Sequence, residues 1–104
     1  MNRPAVVPGC IIFALAATKV RPCVVLAVDA ANTVATIAPC RGSERGSCVE
    51  VKLGCQAAIA MRLTKPTYFH EKIERVSVAA ITEITTLRCP PDLFLKIKRH
   101  VGFR

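Results

Sequence analysis

The sequence predicts a mainly β domain: a small, strongly curved antiparallel sheet closed into an SH3-like β-barrel, followed by one C-terminal α-helix. Three observations carry this. Residues 19–28 open on Lys19, Arg21 and Pro22 and continue as Cys23-Val24-Val25-Leu26-Ala27-Val28, the unbroken aliphatic run of a strand buried on both faces. Val49, Val51 and Leu53 alternate with Cys48, Glu50 and Lys52, as a half-buried strand requires. After Pro90-Pro91-Asp92, the residues Leu93, Phe94, Ile97 and Val101 recur at helical spacing, which predicts a helix over 91–102.

The elements follow in order. Pro8-Gly9 is a turn, and Cys10-Ile11-Ile12-Phe13-Ala14-Leu15 a first strand. Ala16-Ala17-Thr18 is a short connection into the second strand. Pro22 is expected at the first position of that strand, because proline donates nothing to a ladder. Arg21 then stands at the strand mouth, where the core ends. Asp29 to Asn32 reads as a hairpin loop. Residues 34–39 form a third strand, with Val34, Thr36 and Ala38 on one side and Ala35 and Ile37 on the other.

Residues 40–47 are the most polar stretch. They carry Arg41, Gly42, Ser43, Arg45, Gly46 and Ser47 and predict an exposed loop of the kind that carries binding residues on a rigid sheet. In 58–63, Ile59, Met61 and Leu63 are expected on one face of a further strand. Ala58, Ala60 and Arg62 then lie on the other, which points Arg62 away from the core. Pro66 ends that segment, and Tyr68-Phe69-His70 starts a short extended piece. Residues 72–81 suit a strand or a helical turn equally. Residues 82–87, rich in threonine and isoleucine, are extended. Gly102 is expected to end the last helix. Lys96 and Arg99 lie on its polar face, and Lys98, His100 and Arg104 add to a basic C-terminus.

The 104 residues suit a single domain spanning 1–104. A hydrophobic content of 52% excludes a disordered basic tail. No apolar run reaches membrane-spanning length, and Met1-Asn2-Arg3-Pro4 lacks the start of a secretory leader. A soluble, cytoplasmic protein with no membrane partner is expected. Lys and Arg number 15 against 7 acids, a formal net charge of +8. A field of that sign draws polyanions, nucleic acid foremost, and would also steer an acidic protein partner. Six cysteines are present without a Cys-x-x-Cys pair, and His70 and His100 stand far from any paired cysteines. The expectation is reduced thiols, no metal site and no cofactor.

Taken together, Pro8-Gly9-x-Ile11-Ile12, the Lys19-Val20-Arg21-Pro22-Cys23-Val24-Val25-Leu26 strand and Ile37-Ala38-Pro39-Cys40 resemble the PemK/MazF (Kid-like) toxin family. So does the tail, Glu83-Ile84-Thr85-Thr86-Leu87 followed by a helix after a Pro-Pro-Asp turn. The resemblance runs from about Pro8 to Val101, and its specific part is the Arg-Pro-apolar strand. It implies a homodimer that cleaves single-stranded RNA without a metal, as the toxin of a type II toxin-antitoxin system. It also implies an antitoxin whose disordered acidic tail covers the RNA groove.

By the resemblance Arg21 is catalytic and Arg62 is the second arginine of Kid-like members. Cys40 and Arg41 stand where the family has a threonine or serine, and Ser43 is the nearest hydroxyl. Thr64 replaces an aspartate of Kid-like members, and residues 14–18 replace a Gly-rich Glu-Gln loop.

Cutting RNA without a metal requires a base for the ribose 2′-hydroxyl, a donor to the leaving oxygen and cations for the phosphorane charge. Arginine matches phosphate oxygens with its fork and stays charged. The candidate catalytic set is Arg21, Arg62 and Ser43. The candidate RNA-binding set is Lys19, Arg41, Arg45, Thr64, Lys65 and His70. The alternative is a non-catalytic PemK-like barrel that binds nucleic acid or an acidic protein.

Overall fold

A computed structural model describes residues 5–16 and 18–103. The expectations for Met1 to Pro4, Ala17 and Arg104 fall outside them. Strands β1 (Cys10–Ala16) and β2 (Lys19–Val28) form an antiparallel hairpin in which Ile11 faces Val24 and Ala14 faces Arg21. Strand β3 (Val34–Pro39) pairs with β2, and β6 (Glu74–Ser77) pairs with β3. Strand β7 (Glu83–Arg88) pairs with β1, giving a five-stranded order β6-β3-β2-β1-β7. Strands β4 (Val49–Val51) and β5 (Thr67–Phe69) form a separate two-stranded ribbon. Two helices, α1 (Gln56–Ala60) and α2 (Pro91–His100), complete the described residues with a 3₁₀ turn at Val78–Ala80.

Successive residues of a strand point to opposite faces, so an apolar run needs cover on both. Here both covers exist. Ile11, Val24, Leu26 and Ala38 face Val51, Phe69, Ala58, Met61, Leu93 and Ile97. Cys10, Ile12, Ala14, Cys23, Val25, Ala35 and Ile37 face the other way and are sealed under Val6 and Ile81. Phe69 and Ile97 are fully buried, and truncating such a Phe costs about 3–5 kcal/mol. The side assignment expected for residues 34–38 matches this division.

Several expectations change. The architecture is mainly antiparallel β with a C-terminal helix, but the sheet is open. Its outer strands β6 and β7 do not pair. The 3₁₀ turn carries the chain between them, with Val78 N–H donating to Thr33 O and Thr82 N–H to Phe13 O. Residues 72–81 are thus a strand followed by that turn. Strand β4 stops at Val51, and Leu53 is exposed, because the chain turns there with Cys55 N–H bonding Lys52 O.

Residues 58–63 are not a strand. Gln56–Ala60 is helical, since alanine favours a helix and Ala58 with Met61, three apart, meet the core. Ile59 is left in solvent.

Pro22 is the fourth residue of β2, not the first. Its carbonyl accepts Cys40 N–H at 2.9 Å, so its missing donor faces the side where β3 has already ended.

Strand β7 carries a bulge opposite Cys10 to Ile12. There the Thr85 hydroxyl donates to Ile11 O at 2.6 Å and accepts Leu87 N–H at 3.1 Å, filling a gap in the ladder. Helix α2 ends at His100, with Gly102 at φ +70 closing it as expected. Asp92 lies in its first turn and Lys98, Arg99 and His100 in its last, which complements the helix dipole.

The β2–β3 turn is held by Asp29. Its carboxylate accepts the Thr33 hydroxyl and N–H, both at 2.7 Å, and Val34 N–H at 3.1 Å. These bonds hold its pKa below the ordinary carboxylate value, the Thr33 hydroxyl contributing most. A folded pKa below the unfolded one stabilises fully above the unfolded value, about 3.9. That contribution is lost as pH falls through the folded value. Asp29→Ala should therefore lower the Tm at pH 7, and the gap to wild type should narrow below pH 4. Thermal melts across that range check this, and a gap independent of pH would refute it.

Candidate nucleic-acid groove

Strand β3 pairs with β2 only from Cys23 onward. Residues Lys19 to Pro22 therefore run past the end of β3 while still paired to β1, which leaves one side of the hairpin open. A groove of about 920 Å³ occupies that opening. Its lining includes Phe13, Val20 and Pro22 from the hairpin. Arg41 and Gly42 line it from the loop after β3, residues 61–65 from the turn after α1, and residues 83–87 from β7. Among the described residues five cations line it, namely Lys19, Arg21, Arg41, Arg62 and Lys65, with Glu83 the only acid. A smaller hollow of about 370 Å³ adjoins it. Arg21, Arg41 and Gly42 line both, and Ser43, Arg45, His70 and Lys72 complete the smaller one.

Arg21 stands at the junction of the two. Its side-chain Nε is buried with no hydrogen-bond partner, alone in this among the described side chains. An unpaired buried donor costs about 1–3 kcal/mol, so the fold holds this guanidinium in place at a cost. Arg41 is fixed from its backbone outward. Its N–H donates to Tyr68 O at 2.9 Å and its carbonyl accepts Tyr68 N–H at 2.8 Å. Its Nη2 lies 3.4 Å from Glu74 Oε2, with both side chains partly buried. His70 Nε2 lies 2.8 Å from Ser43 O. The acceptor is a carbonyl, so Nε2 carries the proton. His100 Nε2 holds Ser47 O in the same way at 3.0 Å. The two histidines thus tether the polar loop at its middle and at its C-terminal end.

Arg62 is placed by an uncommon backbone. Helix α1 closes with Leu63 N–H on Ala58 O and Arg62 N–H on Ile59 O. This pattern puts the residue after the C-cap in the left-handed region and favours glycine there. Helix α2 uses Gly102 for the same closure, with Phe103 N–H on Lys98 O and Gly102 N–H on Arg99 O. In α1 the position is Arg62, at φ +55. Arg62 is exposed as the sequence predicts, but its direction comes from a helix end rather than from strand alternation.

Every residue of the candidate sets lines one of the two spaces. Arg21, Arg62, Lys19, Arg41, Thr64 and Lys65 line the groove, whereas Ser43, Arg45 and His70 line only the smaller hollow. Sequence reasoning missed Glu83 and Lys72. Glu83 reaches the groove because Phe13 of β1 faces both Pro22 and Glu83, a register with no local signature. Burial pushes the Cys23 and Cys89 thiols up to about 12, and raises Cys40 as well. These thiols stay protonated and are poor nucleophiles or metal ligands. All six cysteines are unpaired. Among the described residues no group of three His, Cys, Asp or Glu side chains is placed to hold a metal ion. No helix among them is long and apolar enough to cross a membrane.

No known protein-family description matches the sequence, and no curated protein does. Solved structures do. An endoribonuclease in complex with its cognate antitoxin, from Mycobacterial species, superposes with a TM-score of 0.70 at 13% identity, covering 94% of this chain and 92% of that one. The MazE–MazF structure from Deinococcus radiodurans gives 0.68 at 16% identity, covering 95% and 93%. This chain has the MazF toxin fold. The Mycobacterium tuberculosis toxin MazF-mt6 agrees, at 0.61 and 18% identity over 91% of this chain and 98% of that one. At such low identity the likeness lies in the backbone path, so the chemistry rests on the groove of this MazF-like chain itself.

Relieving the left-handed strain at Arg62 separates its two roles. Arg62→Gly should stabilise the fold by about 0.5–1 kcal/mol and weaken binding of a single-stranded oligonucleotide. Denaturant unfolding and fluorescence anisotropy measure the pair. A variant that loses stability and keeps full affinity would refute this account of Arg62.

Proposed function

We propose that this protein is the toxin of a type II toxin-antitoxin system, a metal-independent endoribonuclease that cleaves single-stranded RNA in the cytoplasm. The observation that carries this is the convergence of Arg21, Arg41, Arg62, Lys19 and Lys65 on one groove of a MazF fold. Cations already gathered on one groove before the substrate arrives stabilise developing negative charge at small cost in reorganisation. The groove is also mixed in character. Phe13 and Pro22 offer apolar surface for bases, while the arginines address phosphates.

In this reading the ribose 2′-oxygen attacks the adjacent phosphorus, and the bond from phosphorus to the 5′-oxygen breaks. The 2′-proton passes to the carboxylate of Glu83, the only acid among the described residues of the lining. Arg21 and Arg62 take the charge on the phosphorane oxygens, and the Thr64 hydroxyl orients the phosphate. Lys65 gives a proton to the departing 5′-oxygen. The same cations receive the acidic disordered tail of an antitoxin, which competes with RNA for the groove. A homodimer is part of the proposal. Leu15 and Val20 face each other across the β1–β2 hairpin and are 61% and 49% exposed, an apolar pair that suits a partner subunit.

The test is incubation of mixed-sequence RNA with purified protein in EDTA. Arg21→Ala and Glu83→Gln should each slow cleavage by roughly 10²-fold or more. Arg21→Lys should rescue only in part, since an ammonium lacks the bidentate fork. Equal cleavage by wild type and Arg21→Ala would dismiss the site. Intact RNA with wild type across many sequences would leave a domain that binds without cutting.

A further inference from the structure

We propose that the smaller hollow is a separate phosphate subsite, which takes the RNA backbone phosphate next to the one being cleaved. The substrate class rests on the endoribonuclease reading above; the subsite itself rests on the chemistry of its lining. Arg21, Arg41, Arg45 and Lys72 converge there with His70, and no carboxylate among the described residues lines it. Apart from the His70 ring, it lacks the hydrocarbon side chains, such as Phe13, Val20 and Leu87, that line the larger groove beside it. His70 Nε2 is engaged by Ser43 O, and a phosphate would find donors on several sides. At about 370 Å³ it has room for a phosphate with part of its water shell.

Part of the lining, at Arg41 and Ser43, is fixed in advance, whereas Arg45 and Lys72 are exposed. Ser43 O is held by His70 Nε2 at 2.8 Å. Glu74 anchors one Nη of Arg41 at 3.4 Å, and the Arg41 backbone is locked to Tyr68. A site ordered before binding loses less entropy when filled. Arg21 and Arg41 line both spaces, so phosphates in the two would share them as a common wall. That sharing is what makes the two phosphates neighbours along one strand. It also gives Ser43 a role that differs from the catalytic one expected from sequence: its hydroxyl faces the flanking phosphate.

The test uses a short single-stranded 2′-O-methyl oligonucleotide, which has no free 2′-hydroxyl and is not cut. One neutral methylphosphonate linkage is walked along it, and affinity is read by fluorescence anisotropy for wild type, Lys72→Ala and Arg45→Ala. With all phosphates intact, each variant should bind about 3- to 10-fold more weakly, with a shallower dependence on salt. With the neutral linkage at one position, wild type should weaken by a similar factor and the variants should lose nothing more. Neutralising other linkages should leave the variant penalty in place. Lys96→Ala, on the exposed face of α2, should show no such dependence on position.

A penalty that is the same whichever linkage is neutral would mean a diffuse basic field, and would overturn the subsite. Unchanged oligonucleotide affinity in both variants, with weaker binding of a polyglutamate peptide, would assign the hollow to an acidic protein instead. Because nothing is cleaved, a protein that proves unable to cut RNA still gives a clear answer on the subsite.

Discussion

The structure depends on burying one hairpin on both faces. Strands β1 and β2 place Ile11, Val24 and Leu26 on one side, and Ile12, Cys23 and Val25 on the other, and nearly all of these are sealed from water. No flat sheet with one wet face accepts such a pair. The rest of the chain serves as cover. The β4–β5 ribbon, α1 and α2 close one side, while Val6 and Ile81 close the other. The cover stops where β3 stops, at Pro39. There the hairpin emerges with Arg21 at its edge, and the groove is the space left uncovered.

The groove keeps features that stability alone would remove. Arg21 holds a buried Nε without a partner. Arg62 occupies a left-handed position that the equivalent turn of α2 gives to Gly102. Both depart from the most stable local choice, and both residues border the same groove. Departures of this kind concentrate where a protein binds or reacts. Elsewhere the local rules hold: Asp29 caps its turn, Thr85 bridges the β7 bulge, and the last turn of α2 is basic.

Much of this was legible in the sequence, for identifiable reasons. The hairpin showed itself because burial on both faces leaves an unbroken aliphatic run. The loop 40–47 and helix α2 showed themselves by composition and spacing. Residues 58–63 misled, because Ile59, Met61 and Leu63 alternate like a strand while three alanines favour a helix, and core contact from Ala58 and Met61 decided it. Barrel closure was expected and the sheet is open, since the path of the 3₁₀ turn between β6 and β7 depends on where two distant edges lie. Glu83 and Lys72 were hidden for a similar reason. One reaches the site through the register of β7 on β1 and the other through the fold of the loop after β5, and neither carries a local motif.

The central claim is that the arginines gathered on the groove let the substrate's own 2′-hydroxyl break the chain. The most direct measurement compares an RNA cut by the protein in EDTA with the same RNA carrying a single 2′-deoxyribose on the 5′ side of the scissile phosphate. Product ends are read by mass spectrometry. The account predicts a 2′,3′-cyclic phosphate and a 5′-hydroxyl from the unmodified strand, and no cut at the deoxy position. Cleavage at the deoxy position, or products ending in 5′-phosphate and 3′-hydroxyl, would mean that water is the nucleophile and would contradict it.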